Sequence, residues 1–134
     1  MQTGGTVMAE RRRILVVDDD TEIRELLRRI LEGAGYDVVF AADGFEALGK
    51  VHLDPPDLVL LDLMMPGMDG WQALAAIRGM PASERPRVVV ISALRGAQER
   101  ALQEGAQAFV PKPFRFAALL ATCKDVLCAE PNPD

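Results

Sequence analysis

The feature that most constrains this chain is a pair of unbroken apolar runs that each end abruptly in carboxylate. Ile14-Leu15-Val16-Val17 runs into Asp18-Asp19-Asp20, and Leu58-Val59-Leu60-Leu61 runs into Asp62. Such a run cannot lie with one face in water; it is the pattern of a strand covered on both faces, as in parallel sheets flanked by helices. Val88-Val89-Val90-Ile91 repeats the pattern and ends on Ser92-Ala93. Asp37 to Ala41 and Ala108 to Val110 are shorter strand candidates, and the second is followed by Lys112 between two prolines.

Helical patterns fill the intervals. Ile23, Leu26, Leu27, Ile30 and Leu31 form one stripe, capped by Asp20 or Thr21 and ended by Gly33 or Gly35. A second helix begins at Asp43-Gly44, runs through Phe45, Ala47, Leu48 and Val51, and is broken by Asp54-Pro55-Pro56. Pro66-Gly67-Met68-Asp69-Gly70 has turn chemistry, and Trp71, Leu74, Ala75 and Ile77 mark a third helix beyond it. A weaker fourth helix is expected from about Ala97 to Glu104 and a fifth from about Phe114 to Cys128. Strand and helix alternate five times, which predicts an α/β fold: a doubly wound, five-stranded parallel sheet with helices on both faces. Right-handed crossovers put every strand C-terminus on one edge, where open sheets of this kind bind ligands.

Composition narrows the function. The chain has 134 residues, 49% of them hydrophobic and 26% charged, which suits one domain with a real core. The domain is read over 13–129, with an N-terminal extension over 1–12 and a polar tail over 130–134. A net charge of -5 argues against a nucleic-acid surface. The sequence offers no stretch for spanning a membrane and no signal peptide at its start, so the expected location is cytoplasmic. Cys123 and Cys128 fall five apart in one helix, poor geometry for a disulfide, and read as two reduced packing residues. His52 stands alone.

Asp18, Asp19, Asp62, Ser92 and Lys112 all lie at or just beyond strand C-termini, so the fold should gather them. Carboxylates grouped this way repel unless positive charge sits among them; a hard divalent cation and an ammonium group would serve. Together they suit transfer of a phosphoryl group.

These segments, with Leu60-Leu61-Asp62-Leu63-Met64-Met65-Pro66-Gly67-Met68-Asp69-Gly70 and Gly105-Ala106-Gln107-Ala108-Phe109-Val110-Pro111-Lys112-Pro113-Phe114, resemble the receiver domain of bacterial two-component response regulators from Ile14 to about Cys128. The resemblance implies a flavodoxin-like (βα)5 fold. It implies that Asp62 accepts a phosphoryl group from a sensor histidine kinase or a phosphotransfer protein. Asp18, Asp19, Asp62 and the backbone carbonyl of Met64 would hold Mg²⁺, Lys112 and Ser92 would contact the phosphoryl group, and Phe109 would turn inward as Ser92 moves. It further implies a cis Lys112-Pro113 bond, a downstream protein target or a fused output domain, and a homodimer face on the fourth helix, fifth strand and fifth helix. Direct nucleic-acid binding and enzymatic turnover of a separate substrate are not expected.

Two other readings bear on the same residues. A small magnesium-dependent phosphatase of the haloacid dehalogenase type also uses a strand-end aspartate, but Glu22 stands where its signature needs threonine. A receiver-like interaction module that takes no phosphate is the second. Met64 lies two beyond the acceptor and Leu94 two beyond Ser92; the resemblance implies that these places influence access of water to the phosphoryl group, and with both apolar, slower self-dephosphorylation is expected than in a variant with polar residues there.

Overall fold

The computed structural model describes residues 11–65 and 67–129. The tail 130–134 and the first ten residues of the extension read over 1–12 lie outside them. Strands β1 (Arg13–Val17), β2 (Asp37–Ala41), β3 (Leu58–Asp62), β4 (Arg87–Ser92) and β5 (Ala108–Pro111) alternate with helices α1 (Thr21–Gly33), α2 (Gly44–Leu53), α3 (Gly70–Arg78), α4 (Ala97–Gln103) and α5 (Phe116–Cys128). The strands form one sheet in the order β2-β1-β3-β4-β5, and every pairing is parallel. The expected five-stranded (βα)5 architecture is thus the observed one.

Side-chain alternation sorts each strand between two faces. Leu15, Val17, Val59, Leu61, Val88 and Val90 pack with Ala47, Val51, Ala73, Leu74, Ile77, Ala97 and Ala101 of α2, α3 and α4. Ile14, Val16, Leu58, Leu60, Val89 and Ile91 pack with Leu27 and Leu31 of α1 and Leu119, Cys123, Val126 and Leu127 of α5. Every residue of β3 is buried, which explains its lack of any polar position before Asp62. Each fully buried aliphatic side chain contributes roughly 1.5–3 kcal/mol.

Local chemistry sets the ends. Asp20, not Thr21, caps α1, and Gly35 at φ 99° closes it: Tyr36 N–H bonds the Leu31 carbonyl at 3.1 Å and Gly35 N–H the Glu32 carbonyl at 3.0 Å. The C-terminus of α5 is held by arginines: Arg12 and Arg87 donate to the Leu127 carbonyl at 3.3 and 3.1 Å.

Three readings need correction. The buried stripe of α3 is Gly70, Ala73, Leu74 and Ile77; Ala75 faces solvent, because a close crossing at Gly70 rotates the helix. The last helix starts at Phe116 rather than about Phe114. The Lys112-Pro113 bond is cis, Arg115 is extended, and Phe114 packs against the α1/α5 face instead of entering the helix. Both cysteines are free, but only Cys123 packs; Cys128 is exposed. Burial pushes the Cys123 thiol up to about 12, so a thiol reagent at mildly alkaline pH is expected to label Cys128 alone in the folded protein. Mass spectrometry counts the adducts, and a doubly labelled native protein would contradict the packing.

Candidate functional site

β1 and β3 are neighbours although β2 lies between them in sequence. Their C-terminal ends therefore meet where the connections diverge to opposite sides of the sheet. Val17 pairs with Leu61, so Asp18 and Asp62 leave adjacent strands at the same level. On the other flank Asp62 pairs with Ile91 and Ser92 with Pro111, which brings the β4 and β5 ends alongside.

The three consecutive aspartates take three different jobs. Asp18 is buried; its Oδ1 accepts the Asp20 N–H at 2.9 Å and its backbone carbonyl accepts from Arg24 at 2.9 Å. Asp19 stands exposed at the rim. Asp20 turns back to cap α1, its Oδ1 accepting the Glu22 N–H at 2.9 Å. One oxygen from each of Asp18, Asp19 and Asp62 lies within 4.8 Å of the others. Lys112 Nζ is 3.3 Å from Asp18 Oδ2 and 3.6 Å from Asp62 Oδ2. Its backbone N–H donates to the Ser92 carbonyl at 3.0 Å, which ties the lysine to the end of β4.

Asp62 is 8% exposed. Its Oδ1 accepts the Met64 N–H at 3.2 Å, which fixes the first peptide of the following loop. That loop is clasped at its far end by Gly70 N–H on the Leu63 carbonyl at 3.0 Å, and a reciprocal capping box of Asp69 and Gln72 starts α3 there. Met64 itself is largely exposed. Ser92 is buried, and its Oγ accepts the Leu94 N–H at 3.0 Å, which leaves the hydroxyl proton free to donate elsewhere. Phe109 is half-buried, opposite Val90, and packs on the α2–α4 face.

The sequence-predicted set is therefore brought together at Asp18, Asp19, Asp62 and Lys112, with Ser92 at the next strand end and Phe109 on a flank. Arg24 was not foreseen. Nothing in one dimension distinguishes it from its solvent-facing neighbours on α1, because its partner is a backbone carbonyl. The donor set fits a hard cation: three carboxylates converge and a single ammonium group cannot neutralise them.

Burial holds the Asp62 carboxyl above its usual range; the Met64 N–H and Lys112 oppose this, while Asp18 and Asp19 add to it. A raised native pKa means that ionised Asp62 weakens the metal-free fold. Its stabilising contribution is complete below the unfolded-state pKa and is lost as pH rises through the native one. Asp62→Asn is accordingly expected to stabilise the metal-free protein at neutral pH, with the gain shrinking on acidification. Denaturant melts of both proteins across pH, with a chelator present, check this. A loss of stability at neutral pH would refute it.

Residues 14–124 match the response regulator receiver domain family. The chain is 44% identical over 117 residues to the response regulator MprA of Mycobacterium tuberculosis, a match covering 86% of this chain and 50% of that protein. It spans about half the length of the curated relatives it matches. The solved signal receiver domain of a response regulator from Bermanella marisrubri superposes with a TM-score of 0.81 at 34% identity, covering 88% of this chain and 99% of that one. The receiver domain of a sensor histidine kinase from Pseudomonas aeruginosa PAO1, solved with a magnesium ion in its active-site cleft, gives 0.81 at 28% identity over 90% of this chain and all of that one.

Proposed function

Because the chain belongs to the response regulator receiver domain family, we propose that it accepts a phosphoryl group on Asp62 from a phosphohistidine and uses it to switch protein binding. The observation that carries this reading is the placement of Lys112 Nζ between the carboxylates of Asp18 and Asp62, with Asp19 in the same cluster.

A carboxylate oxygen of Asp62 attacks phosphorus, the N–P bond to the donor imidazole breaks, and the imidazole leaves with the electron pair. Met64 N–H holds Asp62 Oδ1, so the nucleophile is oriented before the donor arrives. Lys112 meets the incoming oxygens with positive charge, where a loose transition state gathers negative charge. Asp18, Asp19, Asp62 and the Met64 carbonyl would hold Mg²⁺, which supplies further charge neutralisation when bound. Ser92 then donates a hydrogen bond from its hydroxyl to the attached phosphoryl group, keeping its proton, and Phe109 follows inward. The face of α4, β5 and α5 changes as a result. Only a few kcal/mol need separate the two states.

On this reading the receiver unit is 13–129 and acts as a signalling domain in the cytoplasm. A sensor histidine kinase or phosphotransfer protein is upstream, and a protein target or fused output domain is downstream; the α4-β5-α5 face serves for dimerisation. The test is incubation with a small phosphodonor and Mg²⁺. Intact mass should rise by one phosphoryl group, and a chelator should prevent it. A protein that gains nothing under these conditions is an interaction module that takes no phosphate, and the proposal fails.

Met64 and Leu94, 61% and 39% exposed, flank Asp62 and Ser92 with apolar surface that hinders an attacking water. Met64→Asn with Leu94→Glu is expected to speed loss of the phosphoryl group about tenfold, a barrier change of about 1.4 kcal/mol. Decay followed by mass spectrometry measures it, and equal lifetimes would refute it.

A further inference from the structure

Asp19 is the least supported of the three clustered carboxylates. It is exposed, and its side chain has no hydrogen bond or ion pair among the described residues. Asp18, one residue earlier, is engaged at every polar atom. Its N–H donates to the Ala41 carbonyl at 3.1 Å, its Oδ1 accepts the Asp20 N–H at 2.9 Å, and its Oδ2 accepts from Lys112 at 3.3 Å. Its carbonyl oxygen accepts from Arg24 Nη1 at 2.9 Å. That oxygen belongs to the peptide joining Asp18 to Asp19. The direction in which Asp19 leaves the chain therefore follows from a peptide that Arg24 holds.

Arg24 is anchored at both ends. Its backbone N–H bonds the Asp20 carbonyl at 3.0 Å, within the first turn of α1, and its Nη2 lies 3.4 Å from Thr21 Oγ1. An arginine on the outer side of a helix is ordinarily a solvated charge. Glu25, Arg28 and Arg29 are exposed in that way, whereas Arg24 is half-buried. Asp20 caps α1 from the same turn, so the segment bearing Asp18 and Asp19 is closed onto the helix by two side chains.

We propose that Arg24 is a positioning residue for the cation site: by holding the carbonyl of the Asp18–Asp19 peptide it sets the direction of Asp19 and makes the site favour Mg²⁺. This rests on the receiver reading, since that reading assigns Asp19 to the metal. Arg24 touches no reacting atom. Its charge and its hydrogen bond have opposite effects. A guanidinium beside the cluster repels a bound cation, so removing a mere charge would tighten binding. Removing a positioning bond loosens it. The loss should also depend on the ion, because Mg²⁺ demands near-octahedral geometry while Ca²⁺ tolerates displaced ligands.

The test compares the full chain as wild type, Arg24→Met, Arg24→Gln and Arg29→Met. Calorimetry gives the Mg²⁺ and Ca²⁺ dissociation constants, and melts with a chelator give the Tm, so that affinity is read where each protein is folded. Arg24→Met keeps the stem but loses the charge and the donor. Arg24→Gln, neutral and shorter, gives the same reading should Arg24→Met fail to fold. Arg29→Met makes the same charge change on the same helix and removes no hydrogen bond or ion pair among the described residues. Both Arg24 variants should raise the Mg²⁺ dissociation constant about tenfold and the Ca²⁺ constant only about twofold. Arg29→Met should leave both near wild type. The metal-free Tm of Arg24→Met should fall, because the Asp18 carbonyl loses its donor. Unchanged or tighter Mg²⁺ binding in the Arg24 variants overturns the proposal, as does an equal loss for both cations or the same loss in Arg29→Met. A wild-type protein that neither binds Mg²⁺ nor gains a phosphoryl group from a small phosphodonor overturns the receiver reading, and this inference with it. A wild-type protein that does both, with unaffected Arg24 variants, overturns this inference alone.

Discussion

Asp62→Asn should take up no phosphoryl group from a small phosphodonor in Mg²⁺, a loss of at least about a thousandfold in rate, or about 4 kcal/mol in the barrier. An amide oxygen can still accept the Met64 N–H, so the loop keeps its internal restraint. The amide is a far weaker nucleophile, and it removes one of the three anionic donors. The expected pattern is diagnostic, because the same substitution is expected to make the metal-free protein more stable. Failure to accept phosphate then cannot be blamed on unfolding. Asp18→Asn gives the complementary result: the nucleophile survives, but cation binding weakens and Lys112 loses the closer of its two carboxylate partners. Intact-mass kinetics on the three proteins read this directly. Wild-type phosphoryl gain in Asp62→Asn would place the acceptor elsewhere.

Gly70→Ala should be the most damaging methyl group that can be added near the site. A Cβ at this position would stand 2.4 Å from both the Asp62 carbonyl oxygen and the Leu63 Cα. Backbone atoms cannot rotate away as a side chain can, so α3 must separate from the end of β3. That breaks the Gly70 N–H bond to the Leu63 carbonyl and moves the residue next to Asp62. We expect a stability loss of at least about 3 kcal/mol and a weaker Mg²⁺ site. Gly49→Ala is the matched control. It lies inside α2, and a Cβ there meets nothing within 4 Å. It should stabilise by about 0.5–1 kcal/mol through helix propensity alone. Chemical denaturation of the pair checks both signs, and a neutral Gly70→Ala would show that α3 can yield at that crossing.

Much of the molecule was legible in one dimension because burial on both faces of a parallel sheet leaves an unmistakable trace. Ile14–Val17, Leu58–Leu61 and Val88–Ile91 tolerate no polar residue, and their abrupt ends locate the edge where function collects. Turn and breaker residues such as Gly35, Gly105 and Asp54-Pro55-Pro56 limited the helices to within a few positions. The errors lie where a tertiary contact overrides local pattern. Ala75 fits an apolar stripe, yet the Gly70 crossing turns it outward. Phe114 looks helical, yet Arg115 is extended and the ring packs against the α1/α5 face before the helix begins. Cys128 reads as apolar on a helix whose last turn is exposed on that side.

By itself the sequence determined the strand-helix alternation, the edge at which Asp18, Asp62, Ser92 and Lys112 must emerge, and the family to which that pattern belongs. Only the tertiary structure decided which of three adjacent aspartates faces inward, which stays at the rim and which caps a helix. It alone placed one lysine between two carboxylates and set α2 against the loop beside Asp62. Burial is a property of single residues and leaves its mark in local composition. Distances between groups many residues apart follow from strand register and helix packing, and those are set by the whole core at once.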